Sequence, residues 1–334
     1  MKQTSRIYVA GHQGLVGSAL VRQLRTLGYP NLVLRTHQEL DLTNQSAVQR
    51  FFSTERPEYI FLAAAKVGGI LANATHPAEF VQQNLLIQTN VIHEAYCTGV
   101  KRLLFLGSSC IYPKHAPQPI KEEYLLTGAL EVTNRPYAVA KISGVEMCWS
   151  YNRQYGTHFL AAMPTNLFGP GDRYDLQNSH VIPALLQKMH EAKVKAALEV
   201  VIWGTGMPRR EFLYSDDAAD ACIFLMNLPE EELNEIIRDD ELRPVVNIGC
   251  GYDITVREVA DLVAEVVGFR GRLVFDPTKP DGTPRKLLDI GRLARLGWRP
   301  RTSLRDGLKN TYENLDVDIA KYDQRFLARP VGAN

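Results

Sequence analysis

Five short apolar runs punctuate the first half of the chain, each bounded by turn residues. They are Ile7-Tyr8-Val9-Ala10, Leu32-Val33-Leu34, Tyr59-Ile60-Phe61-Leu62-Ala63, Leu103-Leu104-Phe105-Leu106 and Phe159-Leu160-Ala161-Ala162. The runs are continuous rather than alternating. A strand reads that way when both its faces are buried, as in a parallel sheet covered by helices. Between them, apolar positions recur with helical spacing at Leu15, Ala19, Leu20 and Leu24, up to Gly28. Phe80, Asn84, Ile87 and Val91 share one helical face, and Tyr137 to Tyr155 reads as a long helix. Asn44 is placed to cap the helix that leads to Phe51-Phe52. Strand–helix–strand repetition with right-handed crossovers predicts an α/β chain with a doubly wound parallel sheet, the Rossmann architecture.

A length of 334 residues suggests two domains. The pattern loosens after Pro164, where Pro and Gly become frequent, as in Phe168-Gly169-Pro170-Gly171. We therefore expect a dinucleotide-binding domain over 1–165 and a smaller α/β substrate domain, mainly 166–330. The strand Val200-Val201-Ile202-Trp203 and the helix from Thr255 to Gly268 belong to the second. Val245-Val246-Asn247-Ile248, near 244–250, reads as a strand returning to the first sheet, which would make the second domain discontinuous in sequence.

Composition excludes several classes. Hydrophobic residues make up 45% and charged residues 22%, too apolar for a disordered chain. The formal net charge of +1 gives no electrostatic reason to expect nucleic acid or a membrane surface as partner. Cys97, Cys110, Cys148, Cys222 and Cys250 are scattered with no C-x-x-C pair, so neither a disulfide framework nor a metal site is expected. The start of the chain shows no signal-peptide core, and the apolar run from Tyr59 to Ala65 stops at Lys66, far short of a membrane span. The expectation is a soluble cytoplasmic protein.

Gly11-His12-Gln13-Gly14-Leu15-Val16-Gly17 spells G-x-x-G-x-x-G between the first strand and the first helix. Glycine there permits a tight turn, close backbone approach to a phosphate and close helix–strand packing. The helix N-terminus then offers free N–H groups to an anion. The tip of the second strand chooses between nicotinamide cofactors, because an acid there would hold the ribose hydroxyls of NAD. The tip here is Leu34-Arg35-Thr36-His37, which is basic and favours a 2′-phosphate, hence NADP(H). Asp41-Leu42 is placed to contact the adenine region.

Tyr137-Ala138-Val139-Ala140-Lys141 stacks Tyr and Lys one turn apart on a helix face. A nearby ammonium favours the phenolate and is expected to lower the tyrosine pKa. Ser108, at the C-terminal end of a strand, completes a set able to exchange a proton with a substrate oxygen.

The glycine turn, Gly107-Ser108-Ser109 and Tyr137-x-x-x-Lys141 resemble the extended short-chain dehydrogenase/reductases. Within them the chain is most similar to the GDP-L-fucose synthases. Ala63-Ala64-Ala65-Lys66-Val67-Gly68-Gly69-Ile70, Ser108-Ser109-Cys110-Ile111-Tyr112-Pro113, Met163-Pro164-Thr165-Asn166-Leu167 and Asn178-Ser179-His180-Val181-Ile182-Pro183 carry this likeness. So do Trp203-Gly204, Arg210-Glu211-Phe212 and Lys279-Pro280-Asp281-Gly282-Thr283-Pro284-Arg285-Lys286. The resemblance implies epimerisation of GDP-4-keto-6-deoxy-D-mannose at C3 and C5, then NADPH-dependent reduction at C4. It implies Cys110 and His180 as the epimerisation acid/base pair, and Ser108, Tyr137 and Lys141 for reduction. It places Leu106, Gly107, Lys141, Pro164, Asn166, Leu167 and His180 along the cofactor, and Lys188, Trp203, Arg210 and Asp281 on the GDP-sugar.

Without the resemblance several of these residues read more blandly. Cys110 would be a buried inert thiol, His180 a surface or capping histidine, and Trp203 either a stacking platform or core. Arg210 suits a diphosphate through its bidentate fork, whereas Arg209 beside it reads as a surface charge. Some family members carry arginines at the positions of Gln13, His37 and Lys188. At Gln13 and His37 this weakens the expected grip on the 2′-phosphate and leaves it to Arg35 or a protonated His37; at Lys188, on the GDP-sugar side, the charge is kept but the bidentate fork is lost. A 4-epimerase or simple 4-reductase on the same scaffold is the alternative. Apolar helix faces at Phe80–Val91 and at Ala138, Ile142, Val145 and Trp149 face either the sheet or a second subunit, and a homodimer is expected.

Overall fold

The first apolar run forms a strand because its side chains divide between two interiors. Tyr8 and Ala10 enter one buried cluster, and Ile7 and Val9 enter the other. The computed structural model describes residues 1–172, 174, 180–239, 243–279 and 281–315. Asn178, Ser179, Pro280 and the last part of the expected second domain, 316–330, lie outside the described residues.

The first half runs β1 (Ile7–Ala10), α1 (Leu15–Thr26), β2 (Leu32–Val33), α2 (Gln45–Glu55), β3 (Tyr59–Leu62), α3 (Ile70–Thr75), α4 (Pro77–Cys97), β4 (Arg102–Leu106), α5 (Arg135–Tyr155) and β5 (Phe159–Pro164). The second half runs β6 (Asn166–Phe168), α6 (Val181–Val194), β7 (Glu199–Trp203), β8 (Arg209–Arg210), β9 (Phe212–Tyr214), α7 (Ser215–Asn227), α8 (Glu230–Ile237), β10 (Val245–Ile248), β11 (Ile254–Thr255), α9 (Val256–Val267), β12 (Arg272–Asp276), β13 (Arg285–Lys286), α10 (Gly291–Arg295) and α11 (Leu304–Glu313).

Six strands form one parallel sheet in the order β10-β5-β4-β3-β1-β2. Ile7 pairs with both Leu32 and Tyr59, so the chain steps to one side of β1 and then to the other. That reversal opens a crevice at the carboxyl ends of β1 and β3, where ligands of such sheets bind. α2, α4 and α5 cover one face through Phe52, Val91, Ile92, Ile142 and Val145. α1 and α7 cover the other through Ala19, Leu20, Leu24, Ala219 and Cys222. Asn44 caps α2 by accepting the N–H of Ala47 at 3.0 Å.

β10 lies beside β5, with Val245 opposite Ala161. α7 and α8, which sequence reading placed with the second region, pack on the first core: α7 lies against α1, and Leu233, Ile236 and Ile237 of α8 join the same cluster. A separate core gathers Ile182, Leu186 and Met189 of α6, Val259 and Val263 of α9, and Val200 and Ile202 of β7. α9 is delimited as its residues demand. Thr255 and Glu258 form a capping box, and Gly268 ends the helix at φ 74°.

Glu211 ties the two regions together. It is 0% exposed, and its carboxylate accepts the N–H groups of Cys250 (2.7 Å), Gly251 (2.8 Å) and Leu288 (3.0 Å). Its carbonyl accepts from Thr165 Oγ1 and Asn166 Nδ2 at 3.2 and 3.0 Å. Glu211→Ala would strand three donors, that of Leu288 fully buried. It is expected to cost about 3 kcal/mol, read as a fall of roughly 4 °C in the thermal midpoint.

Candidate active site

Gly11 ends β1 at φ 80°, and a β-carbon on it would lie 2.7 Å from the Ala64 nitrogen. A β-carbon on Gly17 would lie 2.1 Å from the Gly11 oxygen. Only glycines therefore let α1 start this close to β1 and β3. Gly14 caps α1 without any side-chain hydrogen bond, and no acidic residue stands in the first turn. The helix start thus presents its N–H groups to the crevice unopposed, which fits a dinucleotide diphosphate. Gln13 is exposed, while His12, Leu15 and Val16 are half-buried around the turn. Leu106 and Gly107 end β4, where a β-carbon on Gly107 would strike Met163 Cε at 2.2 Å. Pro164 ends β5, followed by half-buried Asn166 and Leu167. These positions all line the carboxyl edge of the sheet.

The β2 tip differs from its sequence reading. The Arg35 guanidinium is paired with Glu55, which also holds Arg6, and donates to the Leu34 carbonyl at 2.8 Å. Phe51 lies beneath it, 5.8 Å from ring centroid to guanidinium carbon. His37 is exposed, with Nδ1 3.9 Å from Asp41. Asp41 accepts from the backbone N–H and hydroxyl of Thr43 at 2.9 and 2.8 Å. The Leu42 side chain is core, and its carbonyl accepts from Asn90 at 2.9 Å. Arg35 thus reaches the tip already partnered, because Glu55 at the end of α2 faces it across the layer.

Ser108 follows β4 and caps a single 3-10 turn, Ser109–Ile111, its hydroxyl accepting the Cys110 N–H at 3.3 Å. Cys110 is 9% exposed. Burial pushes its thiol up, opposed by the charges of Lys286 and Lys141 and by the Ser108 bond. Tyr137 sits in the first turn of α5 with its ring edge-on to Phe80, centroids 6.3 Å apart. One turn later the Lys141 ammonium lies 5.8 Å from the Tyr137 ring centroid and donates to the Leu106 carbonyl at 2.7 Å. Burial lowers Lys141 to about 8.

Sequence reasoning expected the ammonium to make Tyr137 acidic. The structure reverses the direction: burial raises the Tyr137 hydroxyl, and the neighbouring Cys110 raises it further. The cost of placing a phenolate in this buried setting outweighs the attraction of a cation that is itself losing hydration. A Tyr137 that keeps its proton at neutral pH is a proton donor, which is what reduction of a carbonyl requires.

His180 stands at the N-cap of α6 and opens to the cleft. Loss of hydration among its neighbours lowers its imidazole, and the Lys286 charge lowers it further. The Lys286 charge is felt by both Cys110 and His180, about seventy positions apart, and Cys110 in turn bears on Tyr137 and Lys141. Lys286 arrives on β13, opposite Arg210 of β8. Farther along the cleft Trp203 is 64% exposed, with the ammonium groups of Lys188 and Lys279 at 5.6 and 5.5 Å from its ring centroid. Arg210 is half-buried and faces Asp281, which is fixed by Thr205 N–H and Oγ1 at 3.0 and 2.6 Å. An open indole flanked by cations suits a nucleobase and its diphosphate. Among the described residues no group of three or more His, Cys, Asp or Glu side chains is placed to hold a metal ion.

A family model described as the NAD dependent epimerase/dehydratase family matches residues 7–249. A GDP-L-fucose synthase of Arabidopsis thaliana is 60% identical over 311 residues, 93% of each chain. That of Escherichia coli is 54% identical over 308 residues, covering 92% of this chain and 95% of its own. The chain belongs to the NAD dependent epimerase/dehydratase family, in its GDP-L-fucose synthase branch. A Campylobacter jejuni GDP-mannoheptose C4 reductase solved with NADP bound superposes with a TM-score of 0.86 at 42% identity, covering 95% of this chain and 99% of that one.

Three residues of this family site escaped assignment from sequence. Lys286 was only the end of a matching run, and a two-residue strand carries no periodicity to mark it. Glu211 adjoins Arg210 in sequence, but its role as buried anchor appears only once Cys250, Gly251 and Leu288 converge on it. Lys279 joins Trp203 in the same way.

Proposed function

We propose that this chain converts GDP-4-keto-6-deoxy-D-mannose to GDP-L-fucose, epimerising C3 and C5 and then reducing C4 with NADP(H). What supports this reading is the Tyr137–Lys141 pair, with the ammonium 5.8 Å from the ring centroid, beside a Cys110 thiol whose charge bears on both, and a Lys286 charge felt by the Cys110 thiol and the His180 imidazole alike. The 4-keto group acidifies the C3 and C5 hydrogens. Cys110 and His180 are neutral at neutral pH, so the pair holds one proton to give and one lone pair to receive. Inversion needs that combination across a sugar ring. Ser108 and Tyr137 hydroxyls stabilise the enolate oxygen. Tyr137 then donates its proton to the C4 oxygen, while Lys141, pinned to Leu106, keeps a positive charge beneath it. Gly11–Gly17 and the ends of β4 and β5 would hold NADPH, which would supply the hydride. Trp203, Lys188, Arg210 and Asp281 hold the GDP moiety.

Incubation with the keto sugar in deuterated water tests this. The expected result is deuterium at C3 and C5, one NADPH consumed per product, and GDP-L-fucose. Retained configuration at both carbons would instead identify a 4-reductase. The kcat/KM for NADPH oxidation is expected to fall above pH about 8, where Lys141 loses its proton; a profile flat to pH 10 would remove its charge from the mechanism.

With Arg35 partnered, the 2′-phosphate is held by few free cations. Joint Gln13→Arg and His37→Arg substitution is expected to raise the NADPH-over-NADH ratio of kcat/KM about tenfold. No helix among the described residues is long and apolar enough to cross a membrane. We place the enzyme in the cytoplasm as a homodimer joined through the outer faces of α4 and α5, where Leu86 and Val139 are exposed. A monomeric mass by light scattering would contradict the dimer.

A further inference from the structure

Tyr112 follows the Cys110 turn directly and is 3% exposed. Its hydroxyl donates to Asn247 Oδ1 at 2.6 Å. Asn247, on β10, is 0% exposed. Its Nδ2 donates to the carbonyls of Ile120 and Asp289 at 3.0 and 3.1 Å, and its backbone N–H donates to the Glu122 carboxylate at 3.0 Å. One residue therefore joins three segments remote in sequence: the return strand of the large sheet, the loop beyond Cys110 and the loop beyond Lys286. The two loops are also stitched to each other. Ile120 N donates to the Leu287 carbonyl at 2.7 Å, and Asp289 N donates to the Ile120 carbonyl at 2.8 Å. The Cys110 turn is thus held at its front by Ser108 and at its back by Tyr112.

We infer that Asn247 is a positioning residue for epimerisation: through Tyr112, Ile120 and Asp289 it fixes the thiol of Cys110 against the strand that carries Lys286. The reducing residues are held by other means. Lys141 is anchored on the Leu106 carbonyl and Tyr137 rides on α5, and none of the four hydrogen bonds of Asn247 reaches either. A shift of the Cys110 turn should therefore slow proton transfer at C3 and C5 more than hydride transfer at C4, because proton transfer depends steeply on donor–acceptor placement.

The inference rests on the epimerase-reductase reading, and its test separates the two. Tyr112→Phe keeps the ring and removes one donor; Asn247→Ala removes the hub. The first rate to measure is deuterium exchange at C3 and C5 of the keto sugar. The second is oxidation of GDP-L-fucose by NADP+, which runs the reduction backwards without epimerisation. Tyr112→Phe is expected to slow exchange about tenfold with KM unchanged, and to leave oxidation within twofold. Asn247→Ala is expected to slow exchange further, and if it does not fold, Tyr112→Phe decides alone. Exchange at the unmodified rate, or a loss in oxidation as large as that in exchange, overturns the assignment. Absence of exchange in the unmodified enzyme overturns the epimerase reading itself.

Discussion

Tyr137→Phe is expected to lower the rate of NADPH oxidation with the keto sugar by about three orders of magnitude, the scale of a lost general acid. The substitution removes one oxygen. The ring keeps its edge-on contact with Phe80, and Lys141 keeps its bond to the Leu106 carbonyl, so folding and cofactor affinity are expected to persist. Exchange at C3 and C5 falls less, because Ser108 still faces the enolate oxygen. Stopped-flow measurement of NADPH absorbance, with circular dichroism as control for folding, checks this. Undiminished oxidation would exclude Tyr137 as the proton donor.

Cys110→Ser is the complementary case. The hydroxyl is nearly isosteric with the thiol but ionises far from neutrality, so it is a poor partner for carbon acids. Exchange of the C3 and C5 hydrogens is expected to drop by about a thousandfold. NADPH is then consumed only as fast as unepimerised ketone is reduced, and the sugar recovered keeps its original configuration. Mass spectrometry of the sugar after incubation in deuterated water reads the result. Normal deuterium content would remove Cys110 from the mechanism.

Much of the scaffold was legible because it is written in local patterns. Continuous apolar runs announce strands buried on both faces, and β1, β3, β4 and β5 appear where those runs stand. Asn44, Thr255 and Gly268 mark helix ends through side-chain oxygens or a positive φ, features of one or two residues that any tertiary context preserves. The glycine turn belongs to this class, since the clashes awaiting a β-carbon at Gly11 and Gly17 arise from the strand and helix it connects. The Tyr137–Lys141 spacing likewise follows from the helix alone.

Other features depend on what packs against what. Arg35 read as a free cation for a 2′-phosphate, yet Glu55, twenty residues away, already holds it. The sign of the Tyr137 shift was misjudged because helical spacing reports the distance to Lys141 but not the desolvation that both groups suffer. The sequence alone determined a doubly wound α/β chain with a glycine-lined anion turn and a tyrosine–lysine pair one helical turn apart, because these need only neighbours in the chain. Tertiary structure alone decided that the Lys286 charge is felt by both Cys110 and His180, that Asn247 ties the return strand to the loops beyond Cys110 and Lys286, and that burial raises the Tyr137 hydroxyl. Each of these rests on burial and on contacts between segments tens to hundreds of residues apart, which no local pattern encodes.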